Sequence, residues 1–159
     1  DCFAWVADLT GEKPVSFAPP KGYFDYRVMD VAFDTGFQYF RTVNMFSTSL
    51  PMAGRGSDTT LQVFRHSRKT YSCHLAKNGR FSDLLHMLMD SRSNSIRDIV
   101  EMKLAKVEAE GGCLHIWGHS WEIEENGLWK ELEEVFKLLS DRPGFRYVSN
   151  GELAKASMS

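Results

Sequence analysis

The chain has 159 residues, 43% of them hydrophobic and 25% charged, with 19 basic and 21 acidic side chains for a net charge of -2. That length suits a single domain, residues 1–159, around one core, and the near-balance of charge gives no field that would gather nucleic acid or an anionic membrane. No apolar run reaches the roughly 20 residues of a membrane-spanning helix, and the first residues do not read as a signal peptide. Cys2, Cys73 and Cys113 are odd in number and lack CxxC spacing. They suggest neither a disulfide framework nor a zinc knot, and are expected as small buried thiols of a reducing compartment such as the cytoplasm.

Asp1 opens inside an amphipathic pattern (Phe3, Val6, Ala7), so upstream sequence is expected and the first helix should stop near Gly11. Pro14 favours an extended run through Val15, Ser16 and Phe17, and Pro19, Pro20 and Gly22 turn the chain. Asp25 can cap a helix with Val28, Met29, Ala32 and Phe33 on one face and Gly36 as its C-terminal cap, followed by a strand from Gln38 to Val43. Residues 47 to 58 have loop composition, and Thr59 to Phe64 suits a strand. Arg65, His66, Arg68, Lys69 and His74 form a basic segment expected as a surface loop, with phosphate or substrate contact as the alternative. Helical periodicity covers Phe81 to Met89, with His86 as a structural residue, and Ile96 to Val107, capped by Asn94 or Ser95 and ended by Gly111 and Gly112. Cys113 to Trp117 is then a strand. Asn126 should begin a helix with Leu128, Trp129, Leu132, Val135, Phe136 and Leu139 inward, and Phe145 to Val148 should be a last strand. Strands alternating with helices imply an α/β fold with a mainly parallel sheet, whose functional groups gather beyond the carboxyl ends of the strands.

Two segments at such ends carry candidate chemistry. In His115-Ile-Trp-Gly-His119-Ser-Trp-Glu122, an extended backbone puts His115, Trp117 and His119 on one face. A histidine there can exchange a proton near neutral pH or bind a metal. His119, just beyond Gly118, is favoured for function, and His115 is read first as a hydrogen-bonded core residue. Glu122, with Glu124 and Glu125, is read as favourable charge at a helix N-terminus, with partnership to His119 as the alternative. In Phe17-Ala-Pro-Pro-Lys-Gly22 the prolines fix the backbone and Gly22 permits positive φ, so a backbone N–H can be held toward a ligand oxygen.

In order and content these pieces resemble the C-terminal half of polysaccharide deacetylases of the NodB-homology type. The resemblance runs from Leu9-Thr-Gly-Glu-Lys-Pro-Val to Tyr147-Val-Ser-Asn-Gly-Glu-Leu153. Phe17-Ala-Pro-Pro-Lys-Gly-Tyr-Phe-Asp25 is similar to the family's Arg-Pro-Pro-Tyr-Gly segment, and Leu114-His-Ile-Trp-Gly-His-Ser-Trp-Glu-Ile-Glu-Glu-Asn126 to a subgroup version of its closing motif. The resemblance implies part of a distorted (β/α) barrel and metal-assisted hydrolysis of an N-acetyl or similar amide on a carbohydrate. It implies that His119 protonates the leaving amine, with His115 as the other candidate, and that the Lys21 N–H holds the oxyanion. Pro19, Pro20, Gly22, His115, Trp117, Trp121 and Glu122 would line the substrate.

The chain departs from the family in two ways. Ala18 stands where many relatives have Arg. The Asp-Asp and His-x-x-x-His motifs of the family's first half, which supply the base and the metal ligands, do not occur. No metal ligand is therefore assigned here; a divalent metal, zinc by preference, is expected in the intact domain. An absent N-terminal half or a partner chain is expected to cover the open sheet edge. Two other readings stay open: a hydrolase of small cyclic amides or ureides, and a non-catalytic sugar-binding half-domain that stacks sugars on Trp117 and Trp121.

Overall fold

The computed structural model describes residues 2–51, 56–77, 79–81, 84–85 and 95–156. Its elements are α1 (Cys2–Thr10), β1 (Ser16–Phe17), a 3-10 turn (Pro20–Gly22), α2 (Tyr26–Thr35), β2 (Tyr39–Arg41), β3 (Gly56–Ser57) and β4 (Leu61–Gln62). There follow α3 (Arg68–Lys77), α4 (Ile96–Glu110), β5 (Ile116–Trp117), α5 (Ser120–Glu125), α6 (Trp129–Leu139) and α7 (Asn150–Ala156). The protein is mixed α/β, and the strands among the described residues form two short parallel sheets, β1-β2-β3 and β4-β5. No described helix is long and apolar enough to cross a membrane.

The chain forms two compact units. The first joins Asp1–Val43, Leu50–Asp58 and Arg146–Ser159. In its sheet Ser16 and Phe17 lie opposite Tyr39 and Phe40, and Phe40 and Arg41 opposite Gly56 and Ser57. Phe40 is fully buried, with the rings of Phe17, Phe24 and Phe33 centred 5.6, 5.4 and 6.4 Å away. Contacts of that geometry contribute about 0.5–1.5 kcal/mol each beyond burial. Helix α2 forms as its sequence predicts: the Asp25 carboxylate accepts the Val28 N–H, and Gly36 ends the helix in the left-handed region at φ 119°. Helix α7 lies against β1 and β2.

The second unit holds Asn44–Ser49 and Thr59–Phe145. Leu61 and Gln62 of β4 lie opposite Ile116 and Trp117 of β5. Its core combines Met45, Phe46, Leu61 and Val63 with Tyr71 and Leu75 of α3, Ile96, Ile99 and Val100 of α4, and Leu132 and Val135 of α6. Ser95 caps α4 by accepting the Asp98 N–H, and Gly111 ends it.

Several expectations are corrected. Phe145 to Val148 has no strand; α7 follows it instead. Asn126 does not start a helix but ends α5, its amide donating to the Glu122 carbonyl, and α6 begins at Trp129. Trp129 and Phe136 are exposed rather than inward. Arg68, Lys69 and His74 lie in α3, not a loop, and Gly56–Ser57 of the supposed 47–58 loop pairs as a strand. Cys2 and Cys73 are exposed and only Cys113 is half-buried, where burial pushes its thiol pKa up. Asn94, His86 and most of the Phe81 to Met89 segment lie outside the described residues.

Candidate functional site

The carboxyl ends of β4 and β5 carry the densest set of functional side chains in the second unit. The pairing itself is built on threonines. Thr60 N–H donates to the His115 carbonyl at 2.8 Å, and the His115 N–H donates to Thr60 Oγ1 at 2.9 Å. His115 is half-buried just before β5. Val63 N–H reaches the Trp117 carbonyl at 2.7 Å, which extends the ladder past β4. The Trp117 indole N–H donates to Thr59 Oγ1 at 3.3 Å, and Thr59 Oγ1 donates to the Asn44 carbonyl at 2.9 Å. Trp117 is thus an anchored ring.

His119 follows Gly118 as the residue before α5, with extended backbone, and its side chain does not cap that helix. The ring is held by tryptophans instead. Trp121 stacks on it, with centroids 4.2 Å apart and planes 15° apart, and Trp117 meets it edge-on at 5.4 Å and 85°. Period-two alternation of Trp117 and His119 and one turn of helix to Trp121 together make this sandwich, in which Trp121 is 59% exposed. An imidazole so held is fixed in plane but reachable, which is what proton delivery to a bound group requires.

Glu122 is half-buried on α5 and accepts a hydrogen bond not from His119 but from Gln62 Nε2, at 3.0 Å. Gln62 Oε1 lies 3.1 Å from His66 Nε2. The His66 ring packs between Phe64 and Tyr71, with centroids 5.0 and 5.4 Å away, and the buried Tyr71 hydroxyl donates to the Phe64 carbonyl at 3.2 Å. Burial depresses the His66 pKa, His74 depresses it further, and Glu122 partly opposes them. His74 is depressed by burial and then by Lys77. His66 lies in the loop expected for it, with substrate contact as the alternative, whereas Gln62 was passed over because a glutamine signals nothing until β4 and β5 are paired.

Arg65, offered above for phosphate, is committed elsewhere: its Nη2 and Nε donate to Glu131 Oε2 at 2.8 and 3.1 Å, while Glu131 Oε1 accepts the Ile96 N–H at 2.8 Å. Glu131 therefore acts as a cap for α4.

The Pro-Pro-Lys-Gly turn belongs to the first unit. Pro19 is buried, Pro20 and Lys21 are exposed, and Gly22 is half-buried. Lys21 and Gly22 both have positive φ, 57° and 71°. A Cβ on Gly22 would stand 2.6 Å from a Val43 methyl, so only glycine fits. The Gly22 N–H donates to the Pro19 carbonyl at 3.0 Å and the Tyr23 N–H to Pro20 at 3.3 Å. A lysine in the left-handed region costs about 1 kcal/mol, a strain that persists where surroundings impose it. The first unit also has an apolar cavity of about 580 Å³ between α1 and α2, lined by Phe3, Phe17, Val28, Val31 and Phe37, and none of the candidate residues borders it.

Among the described residues no three His, Cys, Asp or Glu side chains gather to hold a metal ion. Comparison with protein-family models, with curated proteins and with solved structures finds no match to this chain.

Proposed function

We propose that the chain is part of a carbohydrate deacetylase, related to the C-terminal half of a NodB-type (β/α) barrel, and that His119 is its general acid. The observation that carries the reading is the His119 ring stacked on Trp121 at 4.2 Å beyond the end of a parallel strand. Hydrolysis of an N-acetyl group begins when water adds to the amide carbon. The tetrahedral intermediate then collapses by breaking the C–N bond, which releases acetate and an amine. The nitrogen leaves readily only if it is protonated as the bond breaks, and an oriented imidazolium supplies that proton, typically for a factor of about 10²–10⁴.

The described residues do not fit a metal ion by themselves. In this reading the metal and the base that activates water come from an N-terminal half or a partner chain, and the work assigned to this chain is acid catalysis and substrate contact. For the first unit the proposal is confined to the turn: the Lys21 N–H is an oxyanion donor set by a backbone that Pro19, Pro20 and Gly22 restrain.

The test is acetate release from an N-acetylglucosamine oligomer by a polypeptide carrying this chain with the proposed metal-binding half. His119→Ala is expected to lower turnover by about 10²-fold or more. Unchanged turnover removes His119 from the role, and a preference for cyclic amides or ureides over the oligomer moves the substrate class. A second reading, a sugar-binding module without catalysis, draws on the exposed Trp121 indole. Binding of the oligomer without acetate release in the completed, metal-loaded polypeptide would favour it.

A further inference from the structure

The chain His66, Gln62, Glu122 joins two paired strand ends and a helix, and its hydrogen bonds fix more than position. Gln62 has one donating and one accepting end. Glu122, as a carboxylate, can only accept, so the Gln62 amide nitrogen must face it, as the 3.0 Å contact has it. The Gln62 oxygen therefore faces His66 Nε2 at 3.1 Å, and that nitrogen must carry the proton. A neutral His66 then has its lone pair on Nδ1. Among the described residues nothing donates to that atom, and the ring is half-buried rather than sealed.

We propose that His66 is a ligand-binding residue whose Nδ1 accepts a hydrogen bond from a hydroxyl group of a carbohydrate, with Gln62 and Glu122 as positioning residues that select this tautomer. His66 follows the carboxyl end of β4 and His119 that of its parallel partner β5, so both imidazoles belong to the same sheet end. The ligand class follows from the polarity of the groups there. A lone pair on Nδ1 and the Glu122 carboxylate seek donors and repel phosphate or carboxylate, while the exposed Trp121 indole suits the apolar face of a sugar ring. Burial and the neighbouring His74 favour the neutral ring on which the contact depends. The choice of sugar rests on the deacetylase reading, whereas the tautomer does not.

The experiment is long-range ¹H–¹⁵N correlation of the histidine rings of the 159-residue chain at neutral pH, alone and with a β-1,4-linked N-acetylglucosamine oligomer. The expected result is an Nε2–H tautomer for His66, a shift of its Nδ1 resonance on adding oligomer, and roughly fivefold weaker binding by His66→Phe, the equivalent of one ordinary hydrogen bond. Gln62→Leu is expected to return His66 to a tautomer mixture, which a merely structural glutamine would not do. A folded His66→Phe protein is recognised by its retained Trp117 and Trp121 signals; if it does not fold, the tautomer and the Nδ1 shift in the unsubstituted protein still decide. An Nδ1–H tautomer overturns the proposal. So does an oligomer that shifts His119 and Trp121 but leaves His66 unmoved, which keeps the deacetylase reading. An oligomer that shifts none of them overturns sugar binding at His66, while the deacetylase reading stands or falls on acetate release by the completed polypeptide.

Discussion

The stack of His119 on Trp121 is made with an exposed ring, so the proposed function and stability separate at this residue. Trp121→Ala removes an exposed ring and is expected to change unfolding free energy by no more than about 0.5 kcal/mol, while oligomer binding weakens and the His119 ring gains mobility. Denaturant melts together with ¹⁵N relaxation of His119 check both halves. His66 behaves differently. Its pKa in the fold is held below the ordinary histidine value by burial and by His74, against the opposing pull of Glu122. The unfolded chain takes up a proton near its ordinary pKa of about 6.5, and the folded ring resists it. The stability from the neutral ring is therefore present above about pH 6.5 and is lost as pH falls toward the depressed value. Unfolding free energy measured from pH 8 to 5 should fall, and His66→Phe should flatten part of that slope; His74, depressed in the same sense, keeps the remainder. An unchanged slope in the variant would remove His66 as the cause. The string from His115 to Glu122 was legible as a candidate site because five chemistry-bearing side chains crowd one strand end. The contribution of Gln62 was not, since a glutamine in a strand gains meaning only from the residues that tertiary pairing sets beside it.

Where an element announces itself by its ends, the sequence was a reliable guide. Asp25 and Gly36 bracket α2, and Ser95 and Gly111 bracket α4, through side-chain caps and backbone conformations that few other residues supply. Helix α3 was missed because its buried contacts are only Tyr71 and Leu75, one turn apart in a polar segment, so no apolar stripe exists to be read. Phe145 to Val148 failed for the opposite reason: aromatic and β-branched composition without a partner strand makes no ladder. Two substitutions test the ends that matter most. Gly22→Ala meets both a positive φ and the Val43 methyl, and should destabilise by about 1–3 kcal/mol in chemical denaturation. Glu131→Ala leaves the Ile96 N–H and the Arg65 guanidinium without their acceptor, and is expected to cost about 1–2 kcal/mol, with hydrogen exchange rising first in the opening turn of α4.

For the whole molecule, alternation of strand and helix was enough to foresee parallel pairing. It could not foresee that the strands divide between two short sheets in separate units, because the sequence signals strands without naming their partners. The lack of a three-ligand cluster among the described residues gives a further expectation: treatment with a chelator should leave the melting temperature of the chain unchanged, and titration with zinc should show no tight stoichiometric site. Tight binding would move the metal chemistry into this chain. The placement of α7 against β1 and β2 has a consequence for synthesis. A ribosome releases residues in order at about 5–20 per second, so β1 and β2 emerge well before the helix that packs on them, with every residue of the second unit made in between. The second unit can close on the nascent chain. The first must wait for its last segment, and during that interval the phenylalanine cluster around Phe40 is the surface a chaperone would hold.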